Sequence, residues 1–196
     1  MFRIKKLVRG ETIVEVMVAM AVSSILILSA IQLIGRSYTI VGETNKRIEA
    51  MMLAEEGIEL VRNWRDTNWL KYSGNRRANW IRVGSRNLNT ATYIKPTTVG
   101  VEIDNSASGA HDVLMGESDS NGNIESVRLY RNSDEFLVTD SSNNKPSAYY
   151  RTIQVTPSEK TTKITVDSEV FWQNPGQEDF ETVKISTDLY DFYELN

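Results

Sequence analysis

Cysteine is absent from the 196 residues, so the chain has no disulfide framework, no thiolate nucleophile and no cysteine-built metal site. Histidine is nearly absent: His111 stands alone in a Gly-, Ser- and Asp-rich stretch that reads as loop. One imidazole without evident co-ligands makes neither a triad nor a zinc centre, so a solvated loop histidine is expected there. Walker loops, GxSxG elbows and dinucleotide fingerprints are all missing. The adjacent acids Asp134/Glu135 and Glu178/Asp179 fall in turn-like sequence with no partner base, which suits solvated turns better than acid–base chemistry. Neither an enzymatic activity nor a cofactor is expected.

Charge is scarce in one place. From Ile13 to Ile34 the only charged side chain is Glu15, and Ser23, Ser24, Ser29 and Gln32 are the only other polar interruptions. As a helix these 22 residues span roughly 33 Å at about 1.5 Å each, enough for a hydrocarbon core of about 30 Å. A helix on a globular surface needs a polar face, and this stretch has none. The ten residues before it, MFRIKKLVRG, carry Arg3, Lys5, Lys6 and Arg9 and no acid, a bias that keeps this end cytoplasmic and sends the rest outward. A secretory signal has a shorter apolar region and a small-residue cleavage site. A plain single-pass anchor fits the length but leaves Glu15 unexplained, since a charge deep in lipid costs about 2–3 kcal/mol or more.

The basic leader, Gly10 and the following ETIVEVMVAMAVSSILIL together resemble the class III signal of type IV prepilins and of type II secretion pseudopilins. The resemblance implies cleavage between Gly10 and Glu11 by a prepilin peptidase, which also methylates the new amine of Glu11. Glu15 then becomes the fifth mature residue, the position at which the family carries its signature glutamate. A neighbour's Glu15 can neutralise the buried amine, because a carboxylate in a low-dielectric bundle is tolerable only when paired or protonated. Two departures stand out: the family usually begins its mature chain with an apolar residue, where this one has Glu11, and many members carry a proline in the membrane helix, where the first here is Pro96.

The expected fold is α+β: one long helix from about Glu11 to about Arg65, some 80 Å at about 1.5 Å per residue, then an antiparallel sheet head. Ile48, Met51, Met52, Ile58, Val61 and Trp64 are taken as the stripe that packs on the sheet. Val127–Leu129 and Phe136–Val138 flank a turn at RNSD, and Asn121-Gly122 marks another. Three strands follow at about 149–156, 163–172 and 182–190. Their expected inward residues are Tyr150, Ile153, Val155, Ile164, Val166, Val170, Trp172, Val183, Ile185 and Leu189. Residues 1–10 are thus expected as leader, 11–42 as membrane and polymerisation helix, and 43–196 as the globular pilin head. The V-x-W strand (Val170, Trp172) followed by an alternating last strand looks like minor pilins of the PilV sort.

Between Arg62 and Arg86 seven basic residues (Arg62, Arg65, Lys71, Arg76, Arg77, Arg82, Arg86) face one acid, Asp66, and Trp80 lies among them. Such a stripe could hold nucleic-acid phosphates, dock on the acidic head of the next subunit, or merely surround packed tryptophans. Asp119, Asn121, Asn123 and Glu125 alternate as oxygen ligands do in a calcium loop. They lack its twelve-residue spacing, and an Asn-Gly hairpin is the plainer reading. Expected partners are other pilin subunits, the peptidase-methylase and an inner-membrane assembly platform. The expected place is the inner membrane with a cytoplasmic N-terminus, then an extracytoplasmic filament. A pseudopilin, or an uncleaved anchored binding protein, is the alternative.

Overall fold

A computed structural model describes residues 11–97, 100–115, 123–160 and 162–191. The chain forms two compact units, the first ending at Lys46 and the second beginning at Arg47. Helix α1 runs Glu11–Lys71, six residues beyond the expected end. It is followed by α2 (Arg76–Asn79), β1 (Arg82–Val83), β2 (Arg86–Asn87), β3 (Thr92–Thr97) and β4 (Gly100–Ile103). Then come α3 (Ala107–Met115), a 3-10 turn at Ile124–Val127, β5 (Arg128–Arg131), β6 (Leu137–Val138), β7 (Lys145–Pro157), β8 (Lys163–Gln173) and β9 (Phe180–Tyr190).

The first unit is helix alone among the described residues. The second is built on an antiparallel sheet of seven strands. Its centre is β7, paired with β8 from Tyr149↔Trp172 to Pro157↔Ile164. Along its other edge β7 holds two short strands, β5 at its beginning and β3 near its end. β9 pairs with β8 throughout, from Lys163↔Tyr190 to Gln173↔Phe180. All three long strands expected from alternation are present, and β5 and β6 form the hairpin expected around RNSD. Asn132 ties its turn, its Oδ1 accepting from the backbone N–H groups of Asp134 and Phe136. A separate two-stranded hairpin, β1–β2, turns at Gly84, whose φ of +57 is the left-handed region that favours glycine.

One sheet face packs on the second unit's stretch of α1. The helix buries Ala50, Leu53, Ala54, Ile58, Val61 and Trp64 against Ile153, Val155, Val166, Val170 and Trp172. This corrects the expected stripe: Ile48, Met51 and Met52 are exposed. Ala50, Ala54 and Gly57 bring helix and sheet close together at the start of the contact, and there the long side chains of Ile48, Met51 and Met52 point elsewhere. Trp80, fully buried, fills the same layer, where a side chain of its size contributes about 2–3 kcal/mol.

The opposite sheet face is covered too. Ala107, Ala110 and Leu114 of α3 pack with Val127, Tyr150 and Phe171. Tyr150 was expected beside Ile153 and Val155 but has the opposite parity along β7, so it is buried on this second face. Helix α3 occupies the stretch expected as loop. Asp104 caps it, its Oδ1 accepting from the backbone N–H groups of Ser106 and Ala107.

Candidate functional site

Glu15 lies in the first turns of α1, exposed, on a helix surface otherwise made of hydrocarbon. From Ile13 to Val41 every Val, Ile, Leu, Met and Tyr side chain is more than half exposed, from 51% at Val22 to 76% at Tyr38. The helix contains a stretch long and apolar enough to cross a membrane, with a mean hydropathy of 2.3. So large a continuous apolar surface requires lipid or protein around it.

The hydroxyls on this surface turn inward on the helix itself. Ser24, Ser29 and Ser37 donate to the carbonyls of Met20, Ile25 and Leu33 at 2.7, 2.8 and 3.0 Å, and Thr39 donates to Gly35 at 3.3 Å. Each is satisfied four residues back without a second chain. Glu15 has no such local solution, because a carboxylate only accepts and the helix carbonyls only accept. It is the one charged group between Ile13 and Ile34. Gly10 and the leader lie outside the described residues. Glu11 is helical, with its side chain outside them.

The basic stripe does not form one free face. Arg65 is buried, its guanidinium 2.8 Å from Asp66. Arg62 pairs with Glu59, Arg76 Nε donates to the Trp69 carbonyl, and Arg82 donates to Gly84 and Asn79. Trp80 is core, so its ring cannot stack on a base. Trp64 likewise is buried and donates its Nε1–H to the Arg82 carbonyl. Lys71, Arg77 and Arg86 remain exposed.

Of the calcium candidates, Asp119 and Asn121, with the Asn121-Gly122 turn, lie outside the described residues. Asn123 Oδ1 accepts from the Glu125 N–H, and Glu125 pairs with Arg128 at 2.8 Å, so both are engaged locally. Among the described residues no group of three or more His, Asp or Glu is placed to hold a metal.

His111 is not a solvated loop residue. It sits on α3 with Nε2 3.0 Å from Glu169 Oε2 of β8, between the rings of Tyr93 and Phe171. Thr182 donates to the other Glu169 oxygen. This pair fastens α3 to the sheet. Two interactions fix α1 on the other face: Tyr149 donates to Glu49 at 2.8 Å in a half-buried contact, and the buried Arg151 donates to the Leu53 carbonyl at 3.1 Å with Glu56 3.5 Å away. Burial first, and then the Glu49 carboxylate, push the Tyr149 hydroxyl well above its ordinary value, so it remains a donor.

No curated protein and no solved structure matches the chain. Residues 5–31 match the family model of the prokaryotic N-terminal methylation motif, the class III signal peptide of type IV pilins. The matched segment takes in Gly10, Glu11, Glu15 and most of the exposed apolar helix, and by it the chain is similar to type IV pilin-like and pseudopilin subunits, whose N-terminal methylation motif it carries.

Proposed function

We propose that this chain is a structural subunit of a type IV pilus-like filament, a minor pilin of the PilV sort, and not an enzyme. The observation that carries this is the coincidence of the methylation motif at residues 5–31 with a helix that exposes hydrocarbon on all sides from Ile13 to Ile34 and holds one carboxylate in that stretch, Glu15. A prepilin peptidase cuts after Gly10 and methylates Glu11. The subunit waits in the inner membrane with its N-terminus in the cytoplasm, is taken up by an assembly platform, and joins other pilin subunits through its N-terminal helix. Glu15 of one subunit neutralises the amine of another, which fixes the stagger between neighbouring helices.

The test is intact mass together with N-terminal sequence of the mature protein in cells with an active prepilin peptidase. The expected product starts at Glu11 and carries one added methyl group. Four of the 22 basic residues lie in positions 1–10, so the formal charge moves from −4 to −8. A mature protein that still starts at Met1 overturns the reading in favour of an uncleaved anchor.

A further inference from the structure

The second unit carries a groove between α1 and the β5–β6 hairpin. One part, about 450 Å³, has a floor of Met52, Leu53, Phe136 and Leu137. It adjoins a second of about 340 Å³ that shares Glu56, Leu137 and Val138 and reaches Leu60 and Asp140. Met52 and Phe136 are 65% and 69% exposed, an unusual state for two large apolar side chains on neighbouring elements. Acids surround this floor: Glu49, Glu56, Glu135 and Asp140, against Arg131 and the buried Arg151. Arg131 is shared between Glu49 and Glu135 at 3.5 and 3.4 Å, so the rim keeps a negative excess.

The same unit carries the complementary charge and apolarity at the end of α1. Leu70, 74% exposed, is the most exposed large apolar side chain of the second unit among the described residues. Lys71 follows it, lying over the Tyr72 ring, and Arg77 stands exposed on the next short helix. An apolar knob with cations beside it matches an apolar floor with carboxylates around it.

We infer that the groove receives the Leu70–Lys71 end of α1 from a second copy of this chain, with Leu70 seated between Met52 and Phe136 and Lys71 facing Glu135. The inference rests on the filament reading and deepens it by naming a contact between heads. Knob and groove are different patches of one molecule, so the contact is heterologous and leaves a free knob at one end and a free groove at the other. It propagates. With parallel α1 axes, the 18 residues from Met52 to Leu70 set a displacement of about 27 Å along the helix between the two copies. A minor subunit built this way occurs in runs, not singly.

The natural chain has no cysteine, so introduced thiols report unambiguously. Full-length chains carrying either Met52→Cys or Leu70→Cys, with distinguishable tags, are co-expressed and oxidised in sheared filaments. The expected product is the mixed dimer, without either self-linked dimer. A Met52→Cys or Leu70→Cys chain that links to itself, or to a different pilin, overturns the inference, as does a filament with no cross-link. Each of these leaves the filament reading standing. Absence of the chain from filaments altogether removes both. A charge arm adds a second readout: Lys71→Glu is expected to lower incorporation by about two- to fivefold, and Glu135→Lys in the same chain to restore it. Failure of Glu135→Lys to restore it, with the head folded, also overturns the pairing.

Discussion

Gly57 of α1 lies so close to Ser168 of β8 that a Cβ added to the glycine falls 2.3 Å from the serine Oγ and 3.2 Å from its Cβ. This is the tightest point between helix and sheet among the described glycines, and Ser168 Oγ is buried there without a hydrogen-bond partner. Overpacking of this kind costs about 1–3 kcal/mol, while alanine adds about 1 kcal/mol of helix propensity over glycine. Gly57→Ala is therefore expected to destabilise the head by about 1 kcal/mol, and Gly57→Val by considerably more. Ser168→Ala removes an unsatisfied hydroxyl and is expected to be neutral or stabilising by about 1 kcal/mol. In that background Gly57→Ala should cost less, and with Ser168→Gly less again. Urea denaturation with and without Gly57→Ala in the three backgrounds, Ser168, Ser168→Ala and Ser168→Gly, checks this; an equal cost of Gly57→Ala in every background would place the strain elsewhere.

The head, residues 47–196, is expected to be soluble and cooperatively folded without the first unit. Every buried core residue from Ala50 to Leu189 lies within it. Circular dichroism and a single thermal transition are the measurements. A fragment that folds only when detergent or lipid is supplied contradicts the prediction.

Glu15→Val is expected to leave insertion and leader cleavage intact while reducing entry into filaments. The span becomes more apolar, so insertion is no worse. What disappears is the partner of a buried amine, a loss of about 3–5 kcal/mol in each contact. Glu11→Phe alone should be mild, and combined with Glu15→Val it should be severe if the Glu11 carboxylate had been compensating. Processed subunit in sheared filaments against membranes is compared across the set. Equal incorporation in all variants, the double included, removes charge pairing from this protein.

At the β8–β9 edge, Lys163 Nζ lies 2.9 Å from Asp188 Oδ2, and Thr165 donates to the other oxygen at 2.7 Å. Hydrogen bonds from Lys163 and then Thr165 lower the Asp188 carboxyl below 3.8, and the bond to Asp188 raises Lys163 above 10.5. The carboxyl's contribution is present above 3.8 and disappears as pH falls through its lowered folded value. The ammonium's is present below 10.5 and disappears as pH rises through its raised one. Asp188→Asn should therefore cost stability at neutral pH and progressively less below 3.8. A cost independent of pH would mean that the asparagine disturbs packing and not charge.

Strands were more legible than helix faces. Alternation in β7, β8 and β9 placed Ile153, Val166 and Val183 correctly because these inward residues are large and apolar. On α1 the same search found Ile58, Val61 and Trp64, which are core, but also favoured the exposed Ile48, Met51 and Met52, since hydrophobicity counts side-chain size. The true contact needed small residues for close approach, and a glycine or alanine carries little apolar weight in sequence. Helix α3 was missed for a similar reason: Ala107, Ala110 and Leu114 at spacings of three and four were obscured by the polar residues between them. Asp104, three before Ala107, was the signal that could have revealed its start. His111 was misplaced with it, because its partner Glu169 is 58 positions away.

The serine and threonine hydroxyls along the first unit have a consequence for transport between environments. Ser24, Ser29, Ser37 and Thr39 bond to their own helix, so these groups travel with their partners already made. Exchanging acyl chains for protein side chains around this helix breaks none of those bonds, and dispersion contacts on one side replace similar contacts on the other. Between Ile13 and Ile34 the polar cost of such a transfer is concentrated at Glu15, with Ser23 and Gln32 the only other polar side chains outside that set. Over that stretch the helix is thus nearly indifferent to which apolar medium surrounds it, with Glu15 the one ionisable group for which the medium matters.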